Sequence, residues 1–317
     1  MTMRAQELWP RKALGGTGLM TPPLCSGTSE VGGLTRIFPN APGEEDALET
    51  ARAILDGPIP FLDTAAGYGE SERRIGVVLR ERGGLPPGFV LATKVDPDPE
   101  TRDYSGVQVR RSVERSLTLL GLERLQLVYL HDPENTTFAE AVAPHGPVEA
   151  LRQCRDEGLI DYLGVAGGPI DLMMRYVETG AFEVVLSHNR YTLLNVAAEP
   201  LWSLASQRGM AAVNAAPYGG GILSKGPAAS PTYAYRPASA DLLARARRIE
   251  EVCIQYGIPL GAAALQFSLR DPRVAATVVG ISRSARLAQL IALAQHPIPD
   301  AFWSVAQTIL PDTGDLG

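Results

Sequence analysis

The chain has 317 residues, 45% hydrophobic and 20% charged, with a formal net charge of −6. That length holds one large domain or two average ones, and the composition is that of a globular chain rather than a disordered one. An acidic balance excludes the broad basic face that nucleic acid or an anionic membrane requires.

In chain order, Ala13-Leu14-Gly15-Gly16-Thr17-Gly18-Leu19 comes first and has the apolar–glycine–apolar look of a small hairpin, placed to plug the bottom of a barrel. Short apolar runs then alternate with amphipathic segments. Pro23 to Ser26 reads as a strand and Glu44 to Leu55 as a helix. The strands at Pro60–Leu62 and Phe89–Thr93 flank a helix from Glu70 to Arg82. Ser105 to Leu120 carries Val109, Val113, Leu117 and Leu120 on one helical face, with Gly121 as the C-cap. Further strands are expected at Leu125–Leu130, Ile160–Val165, Glu183–Ser187, Met210–Asn214 and Ala275–Val279. Further helices are expected at Val148–Glu157, Leu172–Thr179, Leu201–Arg208, Leu242–Tyr256 and Ser284–Gln295. The strand runs are apolar on both faces, as in buried parallel sheets. The stretch from Gly219 to Ala240 is rich in Gly, Pro, Ala and Ser and shows no period. It reads as a long loop, either a binding lid or a surface excursion. Charge groups such as Glu72-Arg73-Arg74 and Glu81-Arg82 read as solvated helix faces.

About eight strand–helix repeats over a single domain, residues 1–317, indicate an α/β fold, a (β/α)8 TIM barrel with an N-terminal hairpin. The rival is an open doubly wound sheet. No G-x-G-x-x-G follows the first strand, which weakens the dinucleotide-binding form of that rival. The three cysteines, Cys25, Cys154 and Cys253, are far apart and form no Cys/His cluster at metal-ligand spacing. No metal is expected, and free thiols suit a reducing cytoplasm. Met1 to Leu8 lacks the apolar run of a signal peptide, and no stretch reaches the roughly 18 apolar residues of a membrane span.

Barrels of this kind do their chemistry where strands end. After the second predicted strand comes Asp63-Thr64-Ala65-Ala66-Gly67-Tyr68, after the third Lys94, and after the fourth His131. A phenol is a poor acid or base at neutral pH, with an ordinary pKa of about 10. A neighbouring ammonium is expected to lower that value, with Asp63 holding the lysine in place. A neutral His131 would orient a carbonyl or hydroxyl through its ring N–H. The set suits proton transfer at an oxygen coupled to hydride transfer at the same carbon.

These motifs resemble the aldo-keto reductase family. Phe61-Leu62-Asp63-Thr64-Ala65-Ala66-Gly67-Tyr68-Gly69 is similar to the segment holding the family's catalytic Asp and Tyr. Ala92-Thr93-Lys94 and Leu127-Val128-Tyr129-Leu130-His131 are similar to the strands ending in its catalytic Lys and His. The likeness runs from Leu14 to about Ile291. It implies NAD or NADP as cofactor, Tyr68 as acid or base, and a small sugar or aldehyde substrate touched by Tyr68, His131 and Asp132. Ser187 to Asn195 and Val213 to Leu223 are similar to the aldose 1-dehydrogenase branch, which includes L-fucose, D-threo-aldose and L-galactose dehydrogenases, with pyridoxal 4-dehydrogenase nearby.

The resemblance further implies cofactor contacts at Gly27, Thr28, Asp63, His188, Ala216, Pro217, Tyr218, Gly219, Gly280, Ser282, Arg286 and Gln289. The segment after the last strand runs into a helix N-terminus, which favours an anion, and Arg283 and Arg286 add charge. Several positions depart from the family pattern. Ala166-Gly167 stands where Ser-Asn usually holds the nicotinamide carboxamide, His188 where Gln is usual, and Ala215 where a stacking Tyr is common, with Tyr218 as a substitute. Gly280-Ile281 replaces the Lys-Ser of NADP-specific members, so NAD or dual use is expected. Trp303 is a further candidate for the pocket. The leading expectation is an enzyme oxidising an aldose at C1 to the lactone. The alternatives are a pyridoxal 4-dehydrogenase, a general aldehyde reductase, or a non-catalytic cofactor-binding regulator like the potassium-channel β-subunits. A monomer or homodimer is expected.

Overall fold

The computed structural model describes residues 8–35 and 40–311. A two-stranded antiparallel hairpin, β1 (Lys12–Ala13) and β2 (Met20–Thr21), precedes the barrel. Eight parallel strands then close on themselves. They are β3 (Leu24–Gly27), β4 (Phe61–Asp63), β5 (Val90–Val95), β6 (Leu125–His131), β7 (Ile160–Gly167), β8 (Val184–His188), β9 (Ala211–Ala215) and β12 (Val274–Gly280). Between β9 and β12, strands β10 (Thr232–Tyr233) and β11 (Arg236–Pro237) form a second small hairpin. The outer helices are α1 (Glu44–Asp56), α2 (Ser71–Arg82), α3 (Gly106–Leu120), α4 (Phe138–Val142), α5 (Pro147–Asp156), α6 (Ile170–Glu178), α7 (Glu199–Gln207), α8 (Ile222–Lys225), α9 (Ala240–Tyr256), α10 (Leu260–Leu269), α11 (Ala285–Gln295) and α12 (Asp300–Gln307).

Side chains alternate across each strand, so every second residue points into the barrel. One buried cluster fills that interior, and it includes Phe61, Val90, Ala92, Leu127, Tyr129, Val184, Leu186 and Val213. Leu14 belongs to the same cluster and is fully buried. The hairpin turn therefore closes the N-terminal end of the barrel, as its apolar–glycine pattern suggested. A Cβ on Gly15 would lie 2.6 Å from the backbone nitrogen of Ala211 at the start of β9. A larger cluster fills the layer between strands and helices, and a third lies under α8, α9, α10 and α12.

The expected helices are present, with α3 capped by the Ser105 hydroxyl, which accepts from the Gln108 N–H. Two expectations need correction. Glu72 and Arg74 are not solvated: they are 1% and 7% exposed. The Glu72 carboxylate accepts from the Thr93 hydroxyl at 2.6 Å, and Arg74 bonds Glu44 and the Val31 carbonyl. Nor is 219–240 structureless, since it holds α8 and the β10–β11 hairpin. Helices α4, α10 and α12 lay outside the expected set. Helix α10, Leu-Gly-Ala-Ala-Ala-Leu-Gln-Phe-Ser-Leu, packs apolar or small residues on nearly all sides and so lacks an amphipathic period. Among the described residues no single helix is long and apolar enough to cross a membrane.

Candidate active site

The inward register of the strands assembles the site. Asp63 follows Phe61 on the inner face of β4, Lys94 follows Val90 and Ala92 on β5, His131 follows Leu127 and Tyr129 on β6, and His188 follows Val184 and Leu186 on β8. Each is the last or next-to-last residue of its strand, so four polar groups cap the apolar interior at the C-terminal mouth.

Tyr68 comes from the turn between β4 and α2. That turn is tied down by backbone bonds from Thr64 N to Ala92 O (2.9 Å) and from Ala66 N to Lys94 O (3.1 Å). Gly32 lies so close that a Cβ there would stand 1.8 Å from the Tyr68 carbonyl oxygen. Lys94, 1% exposed, donates to Asp63 Oδ1 at 2.5 Å and to the Thr64 carbonyl at 2.8 Å. Its Nζ lies 4.7 Å from the centroid of the Tyr68 ring and 5.9 Å from that of Tyr129. Burial opposes the lysine charge, but the Asp63 carboxylate and Tyr68 outweigh it and keep the ammonium protonated above its ordinary range.

The same balance tips the other way at Tyr68. Burial raises the phenol above its ordinary value more strongly than Lys94 lowers it. The expectation of a lowered tyrosine is thus corrected: the lysine moderates a rise that desolvation dominates, and the resting phenol holds its proton. The Tyr68 and His131 rings meet edge to face, centroids 5.7 Å apart.

His131 places Nδ1 2.7 Å from Asp96 Oδ1, and its Nε2 lies 3.8 Å from Asp132 Oδ1. That same Asp132 oxygen is 3.5 Å from His188 Nε2. Burial raises Asp132, but His131 and His188 more than offset it and bring its pKa down to about 2. Asp132 therefore stays ionised beside two histidines, on a polar rim fit for a hydroxylated ligand. Asp132 (φ 40°), Asn189 (φ 57°) and Ala216 (φ 55°) are the first residues after β6, β8 and β9, and all three are left-handed. Such backbones cost of order 1–3 kcal/mol each and cluster at functional sites.

The expected cofactor residues fall into two groups. Gly27, Thr28, Asp63 and His188 surround the barrel mouth. The Thr28 hydroxyl is already engaged, donating to the Asp63 carbonyl at 3.0 Å and accepting from Ser71 Oγ at 2.9 Å. Ala216, Pro217, Tyr218 and Gly219 form the turn after β9. Tyr218 shares a narrow cleft with Gly280, Ile281, Arg286 and Gln289. Its ring therefore borders the β12–α11 segment. The Tyr218 hydroxyl is buried with no partner among the described residues, and Arg286 donates to Gln289 Oε1 at 2.7 Å. An unpaired hydroxyl and a half-buried guanidinium at the entry to α11 fit the anionic, ribose-bearing end of a dinucleotide. Ser282 is half-buried in the loop before α11, and Arg283 is exposed.

At the end of β7, a Cβ on Gly167 would stand 2.9 Å from Met173 Sδ and 3.0 Å from Glu134 Oε2, so Glu134 fills the space a side chain would take. Trp303 is no part of the mouth; it is packed in the cluster under α9 and α12, with the Arg270 guanidinium 4.6 Å above its ring. Two residues escaped the sequence reading. Asp96 is one. The other is Glu30, whose Oε1 lies 3.2 Å from where a Gly280 Cβ would be. Its carboxyl is raised by burial, with Arg286 and Lys225 pulling it back. Only the polar Asp96-Pro97-Asp98-Pro99 stretch hinted at the former, and that reads as a turn.

Comparison with known proteins adds a lineage to this geometry. The model of the Aldo/keto reductase family matches residues 23–310. A pyridoxal 4-dehydrogenase of Microbacterium luteolum is 30% identical, covering 97% of this chain and 98% of its own. A D-threo-aldose 1-dehydrogenase of a Pseudomonas species is 31% identical, covering 92% and 95%. Among solved structures, an aldo-keto reductase from Bacillus halodurans in its holo form superposes with a TM-score of 0.77, at 20% identity, over 97% of this chain and 99% of that one.

Proposed function

This chain belongs to the aldo/keto reductase family of NAD(P)-dependent oxidoreductases, and we propose that within it the protein oxidises the C1 hemiacetal of an aldose, such as L-fucose or a D-threo-aldose, to the lactone. The observation that carries this reading is the intact buried set Asp63, Lys94, Tyr68 and His131, beside the ionised Asp132 and the His188 that faces it. A bound nicotinamide supplies the hydride acceptor. Once deprotonated, Tyr68 takes the anomeric hydroxyl proton as general base and becomes the phenol, Lys94 steadies the phenolate before that transfer, and Asp63 keeps Lys94 charged. His131 aims the reacting oxygen, and Asp132 with His188 receives neighbouring sugar hydroxyls. In the reverse direction Tyr68 returns the proton as acid.

A hemiacetal is the shared chemistry of the two dehydrogenase relatives, because pyridoxal also cyclises to one. The near full-length similarity to a pyridoxal 4-dehydrogenase therefore favours pyridoxal as the second reading. A non-catalytic regulator is disfavoured, since a buried ion pair aligned on a phenol has no use in a mere cofactor clamp. NAD is the preferred cofactor in this reading. Gly280 supplies no cation to pair with an extra phosphate. The three buried free cysteines suit a reducing cytoplasm.

The test is a panel of L-fucose, L-galactose, D-arabinose, pyridoxal and simple aldehydes, with NAD and with NADP, followed by the absorbance of the reduced nicotinamide. Turnover of an aldose with NAD at higher kcat/KM than with NADP is expected. Activity confined to aldehyde reduction with NADPH would overturn the reading.

A further inference from the structure

Asp96 is the first residue after β5, and both of its carboxylate oxygens are committed. Oδ1 lies 2.7 Å from His131 Nδ1, at the end of β6, and Oδ2 accepts from the Gly67 N–H at 2.6 Å, in the turn that carries Tyr68. Asp96 is 18% exposed and His131 11%. Helix α3 buttresses the residue from behind: Ser112 Oγ lies 3.4 Å from the Asp96 N–H, and Gln108 Nε2 lies 3.4 Å from its carbonyl. The Tyr104 hydroxyl, 3.1 Å from the Val95 carbonyl and 2.5 Å from that of His131, ties together the ends of the same two strands. Gly67 must be glycine for this arrangement, since a Cβ there would stand 2.8 Å from Asp96 Oδ1.

We propose that Asp96 is a positioning residue of the site, one carboxylate that orients His131 toward the reacting oxygen and at the same time pins the turn that presents Tyr68. The proposal rests on the assignment of Tyr68 and His131 to that oxygen. A carboxylate only accepts, so Nδ1 carries a hydrogen and Nε2 is left for the substrate side. Whether Nε2 also carries one depends on the surrounding charge. Asp96 from β5 and Asp132 after β6 are anionic, and Lys94 on β5 is cationic. Tyr68 packs edge to face on the ring, Tyr104 bonds the His131 carbonyl, and His188 lies across Asp132 from it. Burial works against the imidazolium, but Asp96 and Asp132 outweigh burial and Lys94 together, and His131 lies above its ordinary value. A charged donor at Nε2 stabilises negative charge developing on the substrate oxygen better than the neutral imidazole expected from sequence. The carboxylate thus acts through two other residues and touches no substrate itself.

The four histidines, His131, His145, His188 and His296, give few enough ring signals to follow by NMR, with His131 assigned from its loss in His131→Gln. The native protein should show His131 titrating above about 6.5. Asp96→Asn, which keeps the size of the side chain and removes its charge, should lower that midpoint by about one pH unit or more. Asp132→Asn, which leaves the Asp96 contact intact, should lower it less. Asp96→Asn should reduce kcat about 10-fold or more with little change in KM, and in the reductive direction, where Tyr68 and His131 are both needed protonated, should move the alkaline loss of activity to lower pH. An unchanged His131 midpoint in Asp96→Asn, or a larger fall in Asp132→Asn, overturns the proposal. The NMR readout needs no substrate, so its failure is separable from a failure of the dehydrogenase assignment.

Discussion

At the scale of single residues, the site works by setting burial against charge. Lys94 and Asp63 are 1% and 4% exposed, and each is tolerable only because the other is present. Lys94→Met should therefore destabilise the fold by about 3–5 kcal/mol, measured by urea unfolding, because it strands a buried carboxylate. Tyr68 keeps its proton because burial raises the phenol more than Lys94 lowers it. A base must lose its proton first, so the rate of oxidation should climb with pH toward the alkaline side, while reduction, which needs the protonated phenol, should not. A pH profile run in both directions checks the opposite signs. Asp63, Tyr68, Lys94 and His131 were legible because each is a polar residue closing, or just beyond, an apolar run. Asp96 was not, because its two contacts are 29 and 35 residues away in sequence and its own surroundings read as a turn.

At the scale of elements, the strand runs and most helices followed from their periods. What escaped were segments whose burial leaves no period. Helix α10 is apolar on almost every side, and α2 buries Glu72 and Arg74 on a face that looks solvated in sequence. The turn carrying Tyr68 is placed as much by its neighbour as by itself. Gly32, in the segment after β3, touches its backbone so closely that no side chain fits. Gly32→Ala should displace the Tyr68 turn and cut kcat about 10-fold or more by misplacing the phenol. The protein should stay folded by circular dichroism, since the clash is confined to one loop. Unaltered kinetics in that variant would show that the contact does not position Tyr68.

At the scale of the whole molecule, the barrel separates stability from chemistry along its axis. Leu14 seals the N-terminal end, and the polar set caps the other. Leu14→Ala should cost about 2–5 kcal/mol in unfolding free energy and leave kcat/KM near native at temperatures where the variant is folded. The alternation of strands and helices made the barrel legible, and the glycine-rich hairpin announced its plug. The second hairpin and α8 did not show, because they are short and their Gly–Pro–Ser composition is that of loops.

The account as a whole turns on Tyr68 as the proton-transfer residue at the mouth of this barrel. The most direct measurement is steady-state oxidation of the best aldose or pyridoxal substrate by the native protein and by Tyr68→Phe, with cofactor affinity taken from fluorescence titration of both. The account predicts a fall in kcat of at least about 100-fold with cofactor binding unchanged. Retention of native kcat by the phenylalanine variant would contradict it.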